Sequence, residues 1–467
     1  MHDTPIQFHR HIKKALKDDN LRSNLASVRD KFTSHRAASV AAYNVQGDFE
    51  SLREQGRHIR NESIRDMPQL LQQFEQNAEA AGAVVLWAKD IAGAQRLITA
   101  IAKRHEVKIA TKSKSMASEE VQLNTALQEA GVEAVETDLG EFIIQLDNDT
   151  PSHIIAPVMH KRRDEVAAIF DGKIPCDGDD IDALTRAARV HLRKKFITAD
   201  MGISGANFLI ADTGSALIVT NEGNGRMVTT LPRVRVTLAG IDKIIPRWND
   251  LPAMLNLLTR SATGQHLTNY VSITTGCQRE GRDAKNAYII LLDNGRSALR
   301  RSDCRDMLRC IRCGACMNHC PVYHTIGGHA YGSVYMGPMG QVLTPSLAGL
   351  ENTLDLPHAA TMCSACAVVC PVKIPLPDLM RRLRARQVDK TLRPFKERFF
   401  IKLWAFCARR PRLYALAAVV LCRLLAIAGG SSGWLRRLPL SSNWFNGRDL
   451  AAPTGKTFRA MRKDLGL

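Results

Sequence analysis

Seven cysteines in the last third of the chain have the types and spacing for redox chemistry. Cys310, Cys313, Cys316 and Cys320 read C-x2-C-x2-C-x3-C and are followed by Pro321. Cys363, Cys366 and Cys370 read C-x2-C-x3-C and are followed by Pro371. The first spacing is that of bacterial ferredoxins for a four-iron cluster, in which the last cysteine of each run ligates the other run's cluster. On that pattern Cys310, Cys313, Cys316 and Cys370 hold one cube, and Cys320, Cys363 and Cys366 hold a second. Soft thiolates suit such clusters. Two-residue gaps let a tight turn gather three of them on one side of a cube. Gly314 and Ala315 leave room for backbone amides to approach the sulfurs, and the two prolines turn the chain away afterwards. Zinc is the plain alternative, but its sites use two separated pairs, often with histidine. Four cysteines this close, a prolyl ending and a second partial copy favour iron–sulfur clusters and single-electron transfer. Cys176, Cys277, Cys304, Cys407 and Cys422 are scattered and read as ordinary thiols.

The second run is one cysteine short. Aligning Cys370 with Cys320 sets Cys366 against Cys316 and Cys363 against Cys313, and Ala360 then stands where Cys310 should be. A methyl group cannot ligate iron. The second centre is therefore a three-iron cluster, a four-iron cluster with an open iron, or a four-iron cluster completed from elsewhere. Cys304 and then Cys277 are the nearest spare thiols, and each reads as a bystander.

Other motifs are scarce. Gly223-Asn224-Gly225 approaches a dinucleotide fingerprint, but Val228 stands at the third glycine. The glycine-rich stretch 327–344 has no P-loop pattern, and no H-E-x-x-H or nucleophile elbow occurs. No organic cofactor that would take a hydride is indicated. Thr111-Lys112-Ser113-Lys114-Ser115-Met116 falls between a predicted strand and helix and reads either as an anion site or as a capped loop with solvated lysines. Residues 211–226, with Gly214, Gly223 and Gly225, read as strand-end turns where α/β ligands sit, or as purely structural turns. Glu136, Asp138 and Glu141 offer carboxylates without metal spacing. His153 and His160 are separated by Pro157, which argues against a joint metal site.

These residues need a scaffold. The chain has 467 residues, 45% of them hydrophobic and 24% charged, enough for two or three domains. Residues 1–80 read as a helical segment. Residues 81–300 alternate, with strands expected at Ala83–Ala88, Val107–Ala110, Val132–Val135, Phe142–Leu146, Phe208–Ala211, Ala216–Thr220, Val234–Leu238, Tyr270–Ile273 and Ala287–Leu292. Helices are expected at Ile91–His105 and Ala117–Ala130. This implies an α/β fold with a largely parallel sheet. Residues 301–385 form a small, mainly helical dicluster domain, and 386–467 a helical basic tail. The net charge is +18, and the excess is partly concentrated at 381–412. No nucleic-acid motif accompanies it, so a membrane surface or an acidic partner is expected instead. The apolar stretch Leu413–Ala428, interrupted by Arg423, is short for a span and reads as a packed helix, with an interfacial anchor as the second reading. The start of the sequence shows no secretory pattern, and clustered thiols suit a reducing cytosol.

Six segments carry a resemblance. KSKSMASEE at 112–120, ETDLGEFIIQL at 136–146, ADTGSALIVTNEGNGR at 211–226, LLDNGRS at 291–297 and both cysteine runs resemble, in order and over nearly the whole chain, the lactate-utilisation protein B family. The resemblance implies a lactate-utilisation α/β domain, similar in fold to sugar-phosphate isomerases and CoA transferases, followed by a dicluster ferredoxin domain. It implies an iron–sulfur subunit of a bacterial system oxidising L-lactate to pyruvate; the cytoplasm, with peripheral contact at the inner face of the membrane, is the location expected from the thiols and the basic tail. Its implied partners are a second cysteine-rich subunit and a smaller protein carrying the same α/β domain. It implies four irons at both centres and the cysteine ligands given above, and it assigns no catalytic residue. The alternative is a catalytic subunit whose α/β domain binds the 2-hydroxy acid. A redox-sensing regulator is a third, weaker reading.

Overall fold

The computed structural model describes residues 5–277, 286–437, 445 and 448–466. Its centre is a sheet of six parallel strands in the order β1-β10-β7-β4-β2-β3. The strands are β1 (Val84–Ala88), β2 (Ile109–Lys112), β3 (Glu133–Glu136), β4 (Met201–Ser204), β7 (Val234–Gly240) and β10 (Asn286–Leu292). A second, mixed sheet runs β8-β5-β6-β9, from β5 (Phe208–Ile210), β6 (Ser215–Thr220), β8 (Ile244–Ile245) and β9 (Tyr270–Thr275). Parallel strands need cover on both faces, and they have it. Ile98, Ile101, Leu123 and Leu127 pack against Met201, Val234, Val236 and Ile290 on one side. Phe142, Phe170, Leu184, Leu192 and Phe196 gather with Val135 and Val228 on the other.

Several elements differ from expectation, three of them for reasons that trace to single residues. Phe142–Leu146 is not a strand but part of the Leu139–Leu146 helix, because the Asp138 carboxylate accepts from the Gly140 and Glu141 amides at 3.1 and 3.3 Å and starts a helix there. A short apolar run cannot separate the two choices by periodicity. The expected helix 117–130 is two helices, Met116–Glu120 and Leu123–Glu129, parted at Gln122 with φ 50°. The strand β4, near the middle of the large sheet, has no signature in MGIS. Its Gly202 carries no side chain because a Cβ there would lie 1.9 Å from the Val228 carbonyl oxygen.

Residues 5–387 belong to one compact unit, which ends at Gln387, so the expected boundaries at 80 and 300 fall inside it. The reason is visible in the N-terminal helices Asp19–Asn44 and Phe49–Arg65. Arg36 donates to the Val369 carbonyl, and Arg53 to those of Val368 and Cys370. Arg60, 1% exposed, donates to the carbonyls of Asp242, Ile244, Leu308 and Arg309. Three arginines of one segment thus satisfy carbonyls of both the α/β region and the cysteine region.

The second unit, Val388–Leu467, contains the helices Phe395–Ala408, Pro411–Gly429 and Phe458–Asp464. Phe395, Phe399, Trp404, Leu424 and Ile427 are exposed on it. By length and composition alone, the 22-residue stretch Pro411–Ser432 is long and apolar enough to cross a membrane. The helix itself, Pro411–Gly429, is longer at both ends than the expected Leu413–Ala428, since Pro411 is tolerated in a first helical turn and Gly429 still belongs to the helix.

His153 joins the α/β region to the cysteine region. It is fully buried, its Nε2 bonds the Asn318 Oδ1 at 3.0 Å, and its Nδ1 accepts from the Ile155 and Ala156 amides at 3.1 Å. That pattern fixes a neutral ring, and burial pushes its pKa down to about 3. The folded state therefore refuses a proton that the unfolded state accepts near pH 6.5. Its stability is complete above that value and falls by about 1.4 kcal/mol per pH unit from 6.5 towards 3. Denaturant titrations at pH 7, 6 and 5 should show His153→Gln destabilised at pH 7, with the gap to the parent narrowing as pH drops. A gap that stays constant would show that His153 does not drive the acid sensitivity.

Candidate metal centres

The two cysteine runs adopt the same backbone. Arg312 and Gly314, on either side of Cys313, have φ of 59° and 76°. Met362 and Ser364, on either side of Cys363, have φ of 59° and 66°. Each pair leads into a single helical turn, Ala315–Asn318 and Ala365–Val368. Left-handed backbone costs a non-glycine residue about 1–2 kcal/mol, so three such residues in two matched loops mark turns held by something beyond local preference. At Gly314 the close approach is also explicit, since a Cβ would meet the Ile155 Cδ1 at 2.9 Å.

These turns sort the thiols into two groups. Cys313 feels the charge of Cys370 and Cys310, and Cys316 that of Cys310, Cys313 and Cys370. Cys366 feels Cys320 and Cys363. Cys370 has left its own run for the first group, and Cys320 has left its run for the second. The groups adjoin, because Cys316 also feels Cys366. Cys313, Cys320, Cys366 and Cys370 are buried, and Cys363 is exposed. Backbone amides of Arg312, Tyr323 and Ile374 point at the sulfurs of Cys310, Cys320 and Cys370 at 3.4–3.5 Å.

Burial pushes the Cys366 thiol up to about 12, with Cys320 and Cys363 adding to it, and raises Cys313, Cys316, Cys320 and Cys370 as well. Gathering these groups as thiolates therefore needs a strongly cationic centre, which iron provides. A single zinc ion does not fit the spacing. Zn–S bonds of about 2.3 Å set tetrahedral sulfurs about 3.8 Å apart. Among the described residues, the one trio of potential ligands with all donor atoms within 4.8 Å is Asp149, His160 and His329, not any set of thiols.

The surroundings of the two groups differ in charge. Arg36, Arg53 and Arg309 act on Cys313 or Cys370, and Arg60, Lys243 and Arg312 on Cys310. No lysine or arginine is among the main influences on Cys320, Cys363 or Cys366. Arg312 also joins a buried chain of charges. Its guanidinium lies 3.0 Å from Asp242, which Arg296 meets at 2.7 Å, and Arg296 pairs with Glu120 at 2.7 Å.

A cavity of about 290 Å³ opens beside this chain, at the C-terminal ends of β4 and β7, lined by Lys114, Glu222, Asn224, Lys243, Arg312 and Tyr335 among others. Ligands of parallel α/β sheets sit at such ends. Asn224 is 3% exposed, and neither polar atom of its amide has a protein partner. Lys243 makes no hydrogen bond or ion pair among the described residues. Burial first, and then Asp138, push the Glu222 carboxyl up to about 7, and burial pushes Glu141 up to about 8.

The polar segments divide accordingly. Lys112 is not solvated. It is buried and pairs with Glu136 at 2.6 Å. Lys114 alone of the two reaches the cavity, and Asp138 caps a helix. From 211–226, Asn224 reaches the cavity, whereas Gly214 serves a turn packed against Asn77 and Ala78. His153 and His160 part company: His160 bonds Asp149 and Ser152. His329, far away in sequence, completes that group, but the Lys161 ammonium 3.2 Å from Asp149 makes it an ion-pair cluster.

Comparisons agree with this division. The LUD domain family matches residues 71–291, and the 4Fe-4S dicluster domain family matches residues 306–374. "Lactate utilization protein B" of Bacillus cytotoxicus is 37% identical over 461 residues, covering 98% of this chain and 97% of that protein. The proteins of that name from Bacillus thuringiensis and Bacillus anthracis match to the same extent. A crystal structure of a DUF162 family protein from Deinococcus radiodurans covers 48% of this chain at a TM-score of 0.26 and 11% identity.

Anaerobically prepared protein should contain iron and inorganic sulfide, and Cys313→Ser should remove the spectroscopic signal of one centre while largely sparing the other. Protein that holds zinc and no sulfide would refute the assignment.

Proposed function

The chain belongs to the lactate utilization protein B family, and we propose that it is the electron-transfer subunit of a system that oxidises L-lactate to pyruvate. The observation that carries this reading is the pair of adjoining thiol groups with Cys320 and Cys370 exchanged between runs. Two neighbouring four-iron clusters held this way pass electrons one at a time. Cys310, Cys313, Cys316 and Cys370 would hold the first, and Cys320, Cys363 and Cys366 the second. Conversion of lactate to pyruvate releases two electrons and two protons. No motif for a flavin or nicotinamide is recognisable in the sequence, so a companion subunit takes the pair and hands it on. The companions we propose are a second cysteine-rich subunit and a smaller protein with the same α/β domain. The site of action is the cytoplasm. The exposed aromatic and aliphatic side chains of the second unit, flanked by Arg409, Arg410 and Arg412, support attachment to the inner membrane face.

A second reading has its own observation. The unpartnered Asn224 amide and the Lys243 ammonium face one cavity whose wall includes Arg312, next to Cys310. A 2-hydroxy or 2-oxo acid has a carboxylate for the ammonium and an oxygen for the amide. On this reading the substrate sits beside the first cluster, in this chain.

Two measurements separate these possibilities, and a third tests the anchor. The pure chain should not reduce a dye with lactate, and lactate-dependent reduction by it alone would favour the second reading. Calorimetry with lactate and pyruvate should show no binding to the chain if the first reading holds. Binding that Asn224→Leu weakens about tenfold or more, the scale of about 1.4 kcal/mol for a lost polar contact, would establish the cavity as the substrate site. Chain ending at Asp389 should keep both centres and lose flotation with anionic vesicles, and equal flotation of the two forms would rule out the second unit as an anchor.

A further inference from the structure

The matched loops put Ala360 where the first run has Cys310, so one corner of the second cluster lacks a thiolate. The structure shows what surrounds Ala360. Ala360 lines a small pocket with Cys320, Cys363, Cys366, Gln341 and His319. The spare cysteines lie elsewhere: Cys304 is buried beside Arg382 and Asp306, and the Cys277 thiol donates to the Gly82 carbonyl. Gln341, on the Gly337–Ala348 helix, is 0% exposed. Its Nε2 donates to the carbonyl of Ala359, the residue before Ala360, at 2.5 Å. A carbonyl can only accept, so this bond fixes which way the amide faces. The Gln341 Oε1 is then left buried without any partner. A buried acceptor with no donor costs about 1–3 kcal/mol and calls for an explanation.

We propose that the Gln341 Oε1 ligates the fourth iron of the second cluster in place of the missing thiolate. The inference rests on the reading that the seven cysteines hold two clusters. His319 lines the same pocket, and its Nδ1 bonds the Ala315 carbonyl at 2.9 Å, which leaves Nε2 unused. His319 is partly exposed, however, so water can satisfy that nitrogen, whereas nothing else reaches the Gln341 oxygen. Charge points the same way. A neutral oxygen in place of a thiolate makes the cluster one unit less negative, and the second group of thiols is the one without a ring of cations. A carbonyl oxygen is also a weaker ligand for iron than a thiolate. The iron it holds is the one that oxidation releases, and an incoming hydroxyl or carboxylate oxygen would take the place of the amide oxygen on it.

The test uses the anaerobically prepared full chain, with iron and sulfide analysis, Mössbauer spectra and redox titration followed by electron paramagnetic resonance. The parent protein should show one iron of the second centre distinct from the rest, and brief oxidation should release that iron alone. Gln341→Leu should yield a three-iron second centre with the first centre intact. Gln341→Glu, which keeps an oxygen at the same reach, should retain the fourth iron. A four-iron second centre unchanged in Gln341→Leu would overturn the proposal. Loss of the fourth iron in His319→Ala but not in Gln341→Leu would overturn it in favour of the histidine. Absence of inorganic sulfide from the parent protein would instead defeat the two-cluster reading beneath it.

Discussion

Asp242 is the residue on which the two halves of the first unit depend. Its carboxylate is fully buried and accepts from Arg296 through one oxygen and from Arg312 through the other. Arg296 belongs to the end of the α/β region and is pinned in turn by Glu120. Arg312 sits inside the first cysteine loop with a left-handed backbone. Both arginines would be intolerable in this place without the carboxylates, because an isolated buried charge costs several kcal/mol. The arrangement is thus less a source of net stability than a condition on geometry. The cysteine loop takes its turn only if Arg312 reaches Asp242, and Asp242 is there only if β7 and the turn after it are formed. Arg60 adds a second clamp by donating to the Asp242 carbonyl from the N-terminal helices.

This dependence explains why the cysteine region is not a free-standing module. Thiolate clusters are anionic, and an anion inside protein needs cations or amide dipoles nearby. The first group of thiols draws its cations from three places: Arg36, Arg53 and Arg60 from the N-terminal helices, Lys243 from the α/β region, and Arg309 and Arg312 from its own run. Separating the regions would strip the centre of most of its positive surroundings. The fold serves the metal chemistry by wrapping it.

How legible this was in the sequence varies by physical cause. The grouping of the cysteines was suggested by spacing alone, because the turns that gather thiols are local and written in residue type. Long periodic helices such as Ile91–Arg104 were equally plain. The strand β4 was not, since its place is set by Gly202 meeting the Val228 carbonyl across the sheet, a contact that no local pattern encodes. The helix at Leu139–Leu146 was hidden because its apolar run suits a strand and only the Asp138 cap decides. Lys112 looked like a solvated or anion-binding side chain, and its partner Glu136 was itself in view, but the parallel pairing of β2 with β3 that sets them opposite each other was not. Gln341 offered no signal whatever. A glutamine in a helix is ordinary until the partners of its amide are known.

The matched turns around Cys313 and Cys363 add a last constraint. Met362 and Ser364 carry the same left-handed backbone as Arg312 and Gly314, without a glycine to ease it and without the salt bridge that holds Arg312. Cys363 is the one exposed thiol of the seven, and Thr361 and Ser364 beside it are exposed too. The second loop therefore has little packing to hold it in a costly conformation. Ligation is the remaining force of sufficient size, since metal binding to such a site is itself folding free energy. It follows that the two proposed centres differ in kind. The first is a rigid site in a charged frame, while the second is a loop whose shape would depend on the metal it holds. An electron path that enters at one and leaves at the other would pass from a fixed environment to an adaptable one at the protein surface, where a partner can reach it.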